Sequence, residues 1–136
     1  MIIIIQKDKK ISDIQKEFHK RFPHLKIEFY KSPHSEFEGS AVDNILDTEL
    51  TIEQAQKRNA SGTIKIEGLM TVAELEQAFA ETFGLCVQVF RQSGQIWLQT
   101  TASDSWTLAE QNQKGFDHRD PSPETIIDAK DLQDLE

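Results

Sequence analysis

One cysteine, Cys86, stands in 136 residues, so no internal disulfide can staple this chain and its stability must come from a packed core. Glycine is sparse at six and proline at four. Gly62, Gly68, Gly84 and Gly94 stand apart as turn or cap residues, which leaves no glycine-rich loop to cradle a phosphate. No apolar run approaches the roughly 20 residues of a membrane span. The opening Ile2 to Ile5 is shorter than a secretory apolar region and is followed at once by Lys7-Asp8-Lys9-Lys10. With no address of either kind, the chain is expected in the cytoplasm, without a membrane partner.

Positive charge is the minor sign: 15 Lys and Arg face 23 Asp and Glu, for a net charge of −8. An acidic chain gains little from counterion release, which carries most non-specific nucleic-acid affinity, so no nucleic-acid partner is expected. The imbalance is concentrated. Residues 117–136 hold seven acids against Arg119 and Lys130, a local −5 that leaves −3 for everything before them.

Against these absences stands one well-marked stretch, residues 71–91, TVAELEQAFAETFGLCVQVFR. Thr71 followed by Glu74 is a capping box, in which side chain and backbone satisfy each other's orphan donors. Val72, Leu75, Ala78, Phe79, Thr82 and Phe83 recur at steps of three and four, the stripe of an amphipathic helix. Gly84 stops it where a left-handed cap is needed. Leu85, Val87 and Val89 then alternate with Cys86, Gln88 and Phe90, a strand with one face inward.

A worn copy lies at 10–30. An offset of 61 sets Ile11, Ile14, Phe18 and Phe22 on Val72, Leu75, Phe79 and Phe83. One residue fewer at the turn sets Leu25, Ile27 and Phe29 on Leu85, Val87 and Val89, with Tyr30 opposite Phe90. A β-branched run precedes each helix, Ile2 to Ile5 and Thr63 to Ile66, and Leu50-Thr51-Ile52-Glu53-Gln54 resembles Trp106-Thr107-Leu108-Ala109-Glu110. Likeness in the same order along two segments reads as internal duplication.

The expected fold is therefore α+β, built from duplicated βαβ(β) units. Residues 1–116 form a single domain with repeat halves 1–61 and 62–115, and an acidic tail follows at 117–136. Ile2 to Ile5 reads as a strand covered on both faces, followed by a helix over 11–22 with Ser12 as a possible cap. Strand, helix and strand of these lengths suggest parallel βαβ units and a ferredoxin-like split βαβ order, with helices on one face of a mixed sheet. The alternative packs two βαββ lobes about a pseudo-twofold axis, and turns on whether 41–46 is a strand equivalent to 96–99. Ser93-Gly94 marks a hairpin, and Ser122-Pro123-Glu124 marks a helix start in the tail.

No catalytic constellation emerges. His19, His24, His34 and His118 are scattered, and His34-Ser35-Glu36 with Glu38 has ligand types at loose spacing, so neither a metal nor a cofactor is expected. Cys86 reads as a small hydrophobe at a helix-to-strand junction. Whether the chain is an enzyme stays open. The stronger indication is the face of the sheet away from the helices, where parity places Tyr30, Phe90 and Trp97, with Ile96 and Leu98 turned inward. Exposed rings in one patch mark a contact surface, unless the 31–61 insert or the tail covers them. The expected function is a protein-interaction or self-associating module, with a protein partner or a second copy as its ligand. The alternative is a small-molecule-binding or catalytic domain using a groove beside the aromatic sheet face.

Overall fold

A computed structural model describes residues 1–32 and 44–120. Its elements follow in the order β1 (Ile2–Ile5), α1 (Ile11–Arg21), β2 (Leu25–Tyr30), α2 (Ile52–Ala55), β3 (Gly62–Lys65), α3 (Val72–Phe83), β4 (Cys86–Ser93), β5 (Ile96–Gln99) and α4 (Leu108–Asp117). Residues 41–43 of the 41–46 segment, the His34–Glu38 loop and the tail helix expected at Ser122 lie outside the described residues.

The helices begin and end for local reasons. Thr51, Thr71 and Thr107 each accept from the backbone three residues on, and Gln54, Glu74 and Glu110 each close the reciprocal bond. These are three complete capping boxes. α3 ends at Gly84, which sits at φ 65° and ψ 32°, a conformation that disfavours any side chain with a Cβ. α1 departs from the expected Ser12 cap. Its N-cap is Lys10 without a side-chain bond, and its first amides donate instead to the backbone: Ile11 N to Leu50 O and Ser12 N to Thr48 O, both at 2.9 Å.

The single mixed sheet of the ferredoxin-like reading is corrected. β1 pairs with β3, not with β2, in an antiparallel two-stranded sheet centred on Ile3 opposite Ile64. The order β2-β4-β5 makes a second sheet, also antiparallel, with Ile27 opposite Val89 and Phe29 opposite Val87. Among the described residues β1 thus pairs with β3 and β2 with β4, and no parallel βαβ pairing forms. β1 is also one-faced rather than doubly covered: Ile3 and Ile5 are fully buried, whereas Ile2 is 62% and Ile4 48% exposed. Four identical residues give no alternation to read.

The inward faces of both sheets share one core. It joins Ile3, Ile5, Ile64 and Ile66 of the small sheet to Leu25, Ile27, Phe29, Val87 and Val89 of the large one, with Ile14, Phe18, Leu75, Phe79 and Phe83 from the helices. Phe79 meets Phe29 edge to face, with ring centroids 5.9 Å apart, a geometry that adds to the area buried.

Backbone bonds around α1 and α2 resemble those around α3 and α4. Val72 N donates to Trp106 O at 3.0 Å as Ile11 N does to Leu50 O. Ile52 N donates to Lys9 O, and Leu108 N to Met70 O, both at 2.8 Å. Glu53 N donates to Lys7 O at 3.1 Å and Ala109 N to Gly68 O at 2.9 Å. Along the large sheet, Leu46 N donates to Phe29 O and Thr100 N to Val89 O, at 2.8 and 3.2 Å. Ile45 forms a bridge to Tyr30, so residues 44–46 lie beside β2 as β5 lies beside β4.

Candidate functional site

Period two divides the large sheet cleanly. Odd-numbered positions of β2 and β4 face the helices, and even-numbered ones face away. Lys26 stands opposite Phe90, Glu28 opposite Gln88 and Tyr30 opposite Cys86, while Trp97 of β5 stands opposite Gln92. All of these share the outward side.

The three expected contact residues separate here. Phe90 and Trp97 are half-buried and come together around one lysine: Lys26 Nζ lies 5.5 Å from the Phe90 ring centroid and 5.1 Å from that of Trp97. Those distances are within cation–π range. Tyr30 is corrected. It is only 3% exposed, because it stands inside a row between Cys86 and Ile45 rather than on an open surface. Burial first, and the Glu28 carboxylate second, push its hydroxyl up to about 12. Ile96 is corrected too. It has the inward parity of Leu98 but occupies the hairpin end and is 53% exposed.

Beside the Lys26–Trp97 cluster, α1 and the outer edge of β2 enclose an open groove of about 320 Å³, lined by Ser12, Gln15, Lys16, His19, Lys26, Ile27, Glu28 and Trp97. Helix side chains seal the strand edge behind it. Gln15 Nε2 donates to Ile27 O, and His19 Nδ1 meets Leu25 O, both at 2.8 Å. A carbonyl can only accept, so His19 Nδ1 is the donor to Leu25 O. The His19 ring lies 6.2 Å from that of Trp97 at 66°. Lys26 Nζ is 3.7 Å from Glu28 Oε1, a loose pair that leaves the ammonium able to meet another acceptor. The groove therefore offers a π surface, ammonium groups and one carboxylate.

Lys26 and Glu28 are the residues that sequence reasoning overlooked, although their parity with Tyr30 in β2 marks them as outward. The approach of His19 to Trp97, across 78 positions, has no sequence signal.

The other polar groups are absorbed by structure. Arg91 is fully buried, its Nη1 donating to Gln111 Oε1 at 2.6 Å, while Gln111 Nε2 donates to Ser103 O and Oγ at 2.8 and 2.9 Å. Trp106 is half-buried with the Arg91 guanidinium 5.4 Å from its ring. His24 Nδ1 bonds Gln92 Oε1 at 2.9 Å and its ring packs on Phe116. Burial pushes the Cys86 thiol up against the opposing pull of Lys57, which keeps it protonated at neutral pH. Among the described residues no three His, Cys, Asp or Glu side chains are placed to hold a metal, and no helix is long and apolar enough to cross a membrane. Comparison with models of protein families, with curated proteins and with solved structures finds no match to this chain.

Proposed function

We propose that this protein is an interaction module, contacting a protein partner or a second copy of itself through the outward face of the β2-β4-β5 sheet. The supporting observation is the half-buried Phe90–Lys26–Trp97 cluster beside an open groove. Large rings left partly wet on a structured sheet are stabilised when a partner removes them from water. The test is solution mass as a function of concentration, read together with quenching of Trp97 fluorescence in a Trp106→Phe background. A concentration-dependent rise in mass that shields Trp97 and is abolished in Phe90→Ser/Trp97→Ser supports self-association. A chain that stays monomeric calls for cross-linking to a heterologous partner. A cross-link pattern unchanged by the double substitution overturns the reading.

A second reading, a small-molecule or catalytic site in that groove, is favoured by the convergence of Ser12, Lys16, His19 and Glu28 along its walls. A soluble metabolite that raises Tm and loses this effect in Lys26→Gln supports it over the first.

We infer as well that the domain, residues 1–116, is a tandem duplication with halves 1–61 and 62–115. This rests on the four corresponding pairs of backbone bonds and on the antiparallel registers, which match each strand to its counterpart. Cytoplasmic location remains part of the same proposal.

A further inference from the structure

Along the groove, the corresponding positions of the two halves differ in charge. At the first-half positions stand Lys16, His19 and Lys26, and their second-half counterparts are Gln77, Ala80 and Cys86. Gln15, which seals the edge of β2, has the acid Glu76 as its counterpart, and Glu76 Oε2 accepts from Val89 N at 3.4 Å. Across the sheet, Glu28 faces Gln88, which is fully buried and receives a bond from Thr101 Oγ1 at 3.4 Å. The groove thus carries two ammonium groups and an imidazole against one carboxylate, in a chain whose net charge is −8. The cationic side chains that α1 and β2 place here have no cationic counterpart at the matching positions of α3 and β4. The groove also holds the half-buried Trp97.

Resting on the interaction reading above, we propose that the Lys26–Trp97 groove takes an acidic segment of a partner protein, with an apolar residue beside its carboxylates. Charge complementarity selects the class. Lys26 Nζ is held against two rings, and among the described residues its carboxylate neighbour is Glu28 at a loose 3.7 Å, while Lys16 projects from the adjacent turns of α1. A partner carboxylate meets these ammonium groups while its apolar neighbour lies against the indole of Trp97. A basic or neutral segment gains the ring contact alone, and a basic one meets like charge.

Titration of the full chain with three blocked peptides tests this, one alternating Glu and Leu, one Gln and Leu, and one Lys and Leu. The two indole N–H resonances, Trp97 and Trp106, report separately. The acidic peptide is expected to shift Trp97 and leave Trp106 in place, to weaken as salt rises, and to bind about tenfold less tightly to Lys26→Gln. Lys26→Arg is expected to retain binding. Lys16→Gln, on the exposed side of the helix, lowers affinity without touching the core. Equal binding of all three peptides overturns the charge preference and leaves the interaction reading standing. Absence of any Trp97 shift overturns this proposal alone, because the interaction reading is judged on mass and cross-linking.

Discussion

Arg91 lies at the centre of the most demanding polar cluster in the molecule. A buried guanidinium is costly unless partnered, and Gln111 supplies an acceptor to Arg91 Nη1 while donating to Ser103. Gln111→Leu keeps the volume but withdraws both functions. It is expected to lower unfolding free energy by about 3 kcal/mol in urea denaturation. Gly115 closes the same cluster from α4: a Cβ there would stand 2.8 Å from His24 Cβ and O and 3.3 Å from Arg91 Cγ. Tyr30 gives a different signature. Its folded pKa of about 12 exceeds the ordinary 10.0, so the folded state holds its proton longer than the unfolded chain. The stabilisation is therefore full below about pH 10 and is lost as pH rises towards 12, at about 1.4 kcal/mol per pH unit. Tyr30→Phe, compared with the parent across alkaline denaturation curves, is expected to remove that slope.

Helix starts are where local chemistry speaks most directly. Thr71→Ala and Thr107→Ala each remove a side-chain acceptor and are expected to cost about 1 kcal/mol, measurable as a lower urea midpoint with unchanged slope. The bonds from Thr71 and Thr107 hold the Glu74 and Glu110 carboxyls below the usual range. Their contribution is present above the ordinary glutamate pKa and is lost as pH falls through the lowered values. Gln54 performs the same task without ionising. Glu74→Gln is therefore expected to keep the cap and flatten the acid limb of stability attributable to α3. These boxes, the Gly84 stop and the strand alternation after it were legible in the sequence because every group involved lies within four residues of its partner. The Ser12 cap was not, since the acceptors that replaced it come from Thr48 and Leu50 across a loop.

Neither half of the molecule owns a complete sheet. β1 needs β3 and β2 needs β4, each across the boundary at residue 61, and the core mixes side chains of both halves. Residues 1–61 and 62–120 produced separately are therefore expected to show little cooperative unfolding alone. Mixed, they should recover the far-ultraviolet circular dichroism and the urea transition of the intact chain. Independent folding of either half would contradict the shared core. The outward face makes the same point: its lysine comes from β2, its rings from β4 and β5, and its wall from α1.

What the residues along the chain specified unaided is the set of parts: α3 with its caps, the alternation of β2 and β4, and the likeness between two segments 61 apart. Each rests on interactions within a few residues, which act alike in any surroundings. Which strands pair, which side of Ile2–Ile5 meets water, and whether Tyr30 or Phe90 stays open were settled by the assembled fold. Those outcomes depend on contacts between residues distant in sequence, such as 15 positions for Tyr30 and Ile45 and 63 for Ile2 and Lys65. There the free energy is a sum over many partners, and no local pattern carries it.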